Sequence, residues 1–122
     1  MKIKNKDLAN VINLLDTIPV KGLKSIHRTA ISERLKDKHE KLVKAQEQLR
    51  EEYKDDVKGF KSEMEKLLDQ NNTIDDTDSK VEIESLKSTL KPLVAEDSEY
   101  EFKDGDAIGI AVLYTALNLG GE

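Results

Sequence analysis

The chain has no cysteine and no tryptophan, and only three tyrosines and two phenylalanines among its 122 residues. Without cysteine there is no disulfide framework, no thiolate zinc site and no thiol nucleophile. Aromatics at 4% of the chain argue against a large core. Long hydrophobic runs are missing too. The longest, Ala107 to Leu119, is interrupted by Thr115 and Asn118 and falls short of the roughly 20 apolar residues that cross a bilayer. No signal-peptide stretch follows Lys2, Lys4 and Lys6. These absences predict a cytoplasmic protein with no membrane partner.

Charge, by contrast, is abundant at 37% of residues, and its net value of −5 hides an asymmetry. Residues 1–50 hold 12 Lys and Arg against 6 Asp and Glu, whereas residues 51–122 hold 8 against 19. A basic half and an acidic half can pair within one chain, pair between copies, or face different partners. The acidic total disfavours nucleic acid as the partner of the whole chain, though it leaves the basic half open.

Asn5 or Asp7 is placed to cap a first helix carrying Leu8, Val11, Ile12, Leu14 and Leu15 on one stripe. Pro19 and Gly22 end it. A longer helical pattern starts near Leu23 with Ile26, Ala30, Ile31 and Leu35. Its apolar positions continue through Leu42, Ala45, Leu49, Tyr53, Val57, Phe60, Met64 and Leu67, at heptad-like steps of three and four with a stutter. Such a stripe needs a second segment or a second chain to cover it. Leu42, Leu49, Tyr53, Val57, Phe60 and Met64 are therefore the candidate protein interface. The two Asp and the Gly of residues 54–59 are poor inside a helix, so a bend or hairpin is the open question there.

Residues 70–79 read as a polar loop. Val81 and Ile83 alternate with Glu82 and Glu84, a short strand signal, and Tyr100 and Phe102 alternate with Glu99 and Glu101 as a second. Between them Leu86, Leu90, Leu93 and Val94 keep helical spacing, with Pro92 ending that helix or lying just outside it. Asp104-Gly105-Asp106 turns into a last helix, Ala107 to Asn118, apolar almost all round and so expected to be the most buried element or an interface. The predicted fold is mainly α. It comprises an antiparallel helical hairpin arm with coiled-coil character (1–69), the polar loop (70–79), and a small C-terminal α+β unit of two short strands and a buried helix (80–122), in a single domain overall.

Candidate chemistry is sparse. His27 and His39 lie 12 residues apart, about 18 Å along one helix, too far to share a metal. In the acidic loop, Asp76 and Asp78 fit the first and third positions of a calcium loop, but Lys80 and Lys87 fall at the fifth and twelfth and the sharp-turn glycine is absent. Gly105 and Gly109 have the spacing of close helix packing. Ser25 and His27, at i,i+2 on a helix, point apart and make no nucleophile–base pair. No phosphate-cradling loop occurs. No catalytic, cofactor-binding or metal-binding residue emerges, and the chain reads as non-enzymatic. A basic patch at Lys24, Arg28, Arg34 and Lys38 on the second helix resembles a DNA-reading surface. It lacks aromatics for base stacking, and an ordinary helical hairpin explains the same residues.

The opening Met1-Lys2-Ile3-Lys4-Asn5-Lys6-Asp7-Leu8, with Val11-Ile12-Asn13-Leu14-Leu15 after it, resembles the start of a group of small uncharacterised phage and prophage proteins of Gram-positive bacteria. The charged Leu49-Arg50-Glu51-Glu52-Tyr53, the Val81-Glu82-Ile83 piece and the apolar last helix extend the resemblance over most of the chain. It implies a phage genome and the cytoplasm of a bacterial host, with no established activity and no site to transfer. The expected function is that of a phage accessory or structural protein acting by self-association and by binding a phage or host protein. The alternatives are an acidic inhibitor of a host defence nuclease or polymerase and, third, a DNA-binding regulator using the basic helix.

Overall fold

Pro19 decides where the first helix stops. In the computed structural model, which describes residues 1–75 and 77–121, α1 spans Leu8–Thr17 and Ile18 is extended at φ −66°, ψ 144°. A following proline disfavours helical backbone and so favours that geometry. Gly22 then takes φ +71°, a left-handed value that a residue without Cβ adopts freely. Helix α2 follows, Leu23–Glu52, whose 30 residues make a rod about 45 Å long.

The chain reverses between α2 and α3 (Val57–Leu68). Asp56 caps α3, its carboxylate accepting from the Gly59 N–H at 2.9 Å. A Cβ at Gly59 would press on that carboxylate and lie 2.7 Å from Tyr53 Cδ1, so the glycine leaves room for the cap. The residues that weaken a helix interior thus build a reversal. Of the regularly spaced apolar residues around the reversal, Tyr53, Phe60 and Met64 are half-buried along the hairpin, whereas Val57 lies outside its seam. Gln46 on α2 reaches Met64 on α3 (Nε2 to Sδ 3.7 Å), as antiparallel arms require.

The strands lie elsewhere than the sequence suggests. β1 (Lys2–Lys4) pairs antiparallel with β2 (Asn71–Thr73), Ile3 opposite Asn72. Part of the expected polar loop 70–79 is therefore a strand, and Ile74 and Ser79 within it are buried. The Asn72 carboxamide donates to the Ile3 carbonyl at 3.1 Å and to Asn5 Oδ1 at 2.7 Å, while Asn5 Nδ2 donates to the Leu67 carbonyl at 2.8 Å. Asn5 consequently ties the N-terminus to the end of the arm instead of capping α1. Asp7 occupies the cap position and its side chain makes no capping bond.

Residues 81–84, expected as a strand, belong to α4 (Lys80–Val94). Ile83, Leu86 and Leu90 make its buried stripe, and Val81 is 65% exposed. A two-residue alternation was too short to distinguish period 2 from period 3.6. Pro92 sits inside the last turn of α4, not at or beyond its end. Residues 100–102 form no strand either, having no partner edge; they are an extended link to α5 (Gly105–Ala116).

Helix α1 is the most buried element: Leu8, Val11, Leu14 and Leu15 are fully enclosed. Ile31 and Leu35 from α2, Leu86 and Leu90 from α4 and Leu113 from α5 complete the core around it. Gly109 lets α5 approach, since a Cβ there would lie 2.7 Å from the Asn10 carbonyl oxygen and 3.2 Å from Leu14 Cβ. Ser32, also enclosed, donates to Asp16 Oδ1 at 2.7 Å. Helix α5, expected to be either the most buried element or an interface, encloses only Gly109 and Leu113, so it is not the most buried.

Candidate protein-docking site

The apolar surface of α5 that the core leaves uncovered forms one wall of a cleft of about 540 Å³. Ile110, Ala111 and Tyr114 line that wall, and Leu93, Val94 and Ala95 at the end of α4 and Ser98, Tyr100 and Phe102 line the rest. Alternation explains the last of these: along an extended link successive side chains point to opposite faces. The two rings therefore fall on the cleft, with centroids 4.9 Å apart and planes at 73°, an edge-to-face pairing that favours their burial together. A turn starts the link, the Ser98 N–H donating to the Ala95 carbonyl at 2.9 Å and Ser98 Oγ accepting from the Tyr100 N–H at 3.2 Å.

Glu96, Asp97, Glu99 and Glu101 are exposed on the same link. Lys103 pairs with Glu101 at 3.6 Å. Ile108 and Tyr114 add apolar surface at 52% and 45% exposure. The result is a largely apolar cleft, and the alternation that turns Tyr100 and Phe102 into it turns Glu99 and Glu101 to the opposite, solvent face of the link. An exposed apolar cleft of this kind is suited to burying an apolar group. It offers no nucleophile–base pair.

The residues singled out from sequence are distributed differently. Of the expected interface, Leu42 is buried within the chain, while Leu49, Tyr53, Phe60 and Met64 are half-buried along the α2–α3 hairpin. Val57, at the start of α3, is 78% exposed. The hairpin thus supplies much of the cover that the stripe requires. The basic patch is largely engaged in its own chain. Lys24 donates to Ser88 Oγ at 3.2 Å, Arg28 donates to the Leu15 carbonyl at 2.6 Å, and Arg34 donates to Ser79 Oγ and faces Glu82 at 3.6 Å. Lys38 shares with Arg34 a polar groove that Asp37, Asp75 and Asp78 also line.

His27 and His39 are half-buried on α2, and His27 Nδ1 is enclosed without a hydrogen-bond partner among the described residues. Asp76, the first position of the calcium-like spacing, lies outside the described residues. Among those described, no group of three or more His, Asp or Glu is placed to hold a metal ion, and no helix is long and apolar enough to cross a membrane. The sequence points to the last helix as a buried element or an interface, but not to the cleft it shares with the end of α4 and the 98–102 link. Its sequence signals are the apolar last helix and the alternation of Tyr100 and Phe102 with acidic residues. Compared with known proteins, the chain matches no family model, no curated protein and no solved structure.

Proposed function

We propose that the protein is a non-enzymatic phage accessory or structural protein that works by binding other protein surfaces, with the α4–α5 cleft as its working face. One observation carries this reading: Leu93, Val94, Tyr100, Phe102, Ile110 and Tyr114 line an open cleft that nothing else among the described residues fills. Exposed apolar area of this kind is costly in water and is stabilised when a partner covers it. The sequence resemblance supplies the phage setting.

The test is co-purification of the tagged protein during phage infection, comparing wild type with Ala111→Glu. Ala111 lines the cleft and is exposed, so the added carboxylate enters the binding face and spares the core. The expected result is that phage assembly or virion proteins accompany the wild type and are lost with the variant, while circular dichroism of the two is the same. Identical partner sets would overturn the cleft as working face.

The exposed acids of the link, Glu96, Asp97, Glu99 and Glu101, favour a second reading, an acidic inhibitor of a host nuclease or polymerase, because closely spaced carboxylates attract surfaces built for phosphate. Recovery of a host nuclease or polymerase, with binding that weakens steeply as salt rises, would support it. A DNA-binding role for α2 draws less support, since Arg28 and Arg34 already donate within their own chain.

A further inference from the structure

The link between α4 and α5 has a free backbone. Residues 99–103 are extended, and the sheet, which pairs β1 with β2, does not include them. Their backbone hydrogen bonds lie at the two ends. Ser98 Oγ accepts from the Tyr100 N–H at 3.2 Å, and the Lys103 carbonyl accepts from the Asp106 N–H at 3.0 Å. Among the described residues, the N–H groups of Glu101, Phe102 and Lys103 and the carbonyls of Glu99, Tyr100 and Glu101 make no hydrogen bond. Unpaired donors and acceptors along extended backbone are a template for another strand.

The two faces of the link differ in chemistry. Tyr100 and Phe102 turn into the cleft with Ile110, Ala111 and Tyr114, and Glu99 and Glu101 turn to water. Lys103 shares the solvent face and pairs with Glu101 at 3.6 Å. Glu99 makes no ion pair among the described residues. A strand laid beside the link repeats the alternation. Its residues level with Tyr100 and Phe102 point into the cleft, and those level with Glu99 and Glu101 point to water. Facing side chains of paired strands stand about 5 Å apart, where opposite charges stabilise and like charges destabilise.

We infer that the link and the cleft together bind an extended segment of a partner protein in which apolar residues alternate with lysine or arginine. Its backbone pairs with residues 99–103, its apolar side chains fill the cleft, and its basic side chains stand opposite Glu99 and Glu101. The inference rests on the protein-binding reading of the cleft and specifies the occupant. Backbone pairing supplies the affinity and the alternation supplies the specificity. The five residues of the link cover about 17 Å at the rise of a strand, a length that suits a linear segment.

The experiment is fluorescence anisotropy, titrating the full chain into labelled peptides of about seven residues. One peptide alternates valine with lysine, one alternates valine with glutamate, and one has the first composition with its lysines grouped. The alternating valine–lysine peptide is expected to bind about tenfold more tightly than either of the others. Glu99 and Glu101 are exposed, and the E99K/E101K variant, its fold checked by circular dichroism, is expected to prefer the valine–glutamate peptide. Amide exchange reads the backbone pairing. The bound peptide should slow one alternate set of link amides, either Glu101 with Lys103 or Phe102, and leave the other set exchanging freely. No binding of the valine–lysine peptide at about 1 mM overturns the inference. Equal binding of the grouped peptide does so too, as does an unchanged preference in E99K/E101K or an exchange pattern without alternation. Peptide binding that Ala111→Glu leaves at wild-type strength lies off the cleft and also overturns it. If the peptide fails to bind yet Ala111→Glu still abolishes co-purification, the occupant is wrong and the protein-binding reading stands.

Discussion

The two ends of α2 do different work. Its first half lies against α1 and α4, where Ile31, Ser32 and Leu35 are enclosed. Beyond Leu42 no residue of α2 is buried, and α3, which lies against this half, buries none completely. The apolar spacing is equally regular in both halves, so spacing alone does not set burial. What differs is the number of neighbours. The body surrounds α2 with two helices, whereas the arm offers one. A helix in a hairpin without a third element buries half a stripe, and its stability is correspondingly local.

Cavity substitutions give the largest expected contrast. Leu14→Ala removes a fully enclosed side chain from the centre of the body and should cost about 3–4 kcal/mol, read as a lower midpoint in urea unfolding. Phe60→Ala in the arm removes a larger but half-buried side chain and should cost about 1–2 kcal/mol. Equal losses would erase the distinction between body and arm.

Next comes Gly109→Ala. Because the new Cβ would meet backbone at Asn10 and the Leu14 side chain, α5 must move away from α1, at a cost of about 1–3 kcal/mol. Thermal unfolding should show it. An unchanged Tm would mean that α5 rides on α1 loosely.

Asp56→Ala is expected to be smaller and confined. It removes the α3 cap and should cost about 1 kcal/mol. Amide exchange should accelerate through α3 and the end of α2, while α1 amides keep their protection. Faster exchange in α1 as well would join arm and body into one cooperative unit.

What the sequence discloses follows the same division. Helix α1 is legible because Leu8, Val11, Ile12, Leu14 and Leu15 repeat at helical spacing and Pro19 closes the helix, all within a dozen residues. The mainly helical class follows from that and from the pattern of α2. The strand pair is not legible, since Ile3 meets Asn72 across 69 residues of chain and Asn71-Asn72-Thr73 has little intrinsic β preference. Tertiary placement makes it a strand. The cleft is half legible. Tyr100 and Phe102 announce an extended segment with one apolar face, but the walls come from the end of α4 and from α5, and no local pattern says that those two ends converge. The α2 stripe misleads for a related reason: its demand for a partner is real, and α3, the next segment of the same chain, meets much of it.

The smallest expected effect concerns pH, and it separates body from arm by charge. Asp16, on α1, takes a hydrogen bond from Ser32 at 2.7 Å and an ion pair from Lys36 at 2.9 Å, both on α2. Burial acts to raise its pKa, but the hydrogen bonds from Lys36 and Ser32 and the charges of Lys36 and Arg28 outweigh it and hold the carboxyl below its ordinary value. A carboxylate depressed in the folded state stabilises the fold above its unfolded value, near 4, and that contribution disappears as pH falls through the folded one. With the side chain 41% exposed, solvent screening keeps the effect well below about 1 kcal/mol. Asp16→Asn should therefore flatten the acid limb of the stability profile slightly, without changing stability differences above neutral pH. Lys4 and Asp69 pair across the strand side of the molecule at 2.7 Å, with the Asp69 carboxyl lowered and the Lys4 ammonium raised by their mutual hydrogen bond and charge. Both are open to water there, so Asp69→Asn should leave the acid limb closer to wild type than Asp16→Asn does. The reverse order would mean that the anchorage of the arm, and not the seam between α1 and α2, governs the acid response.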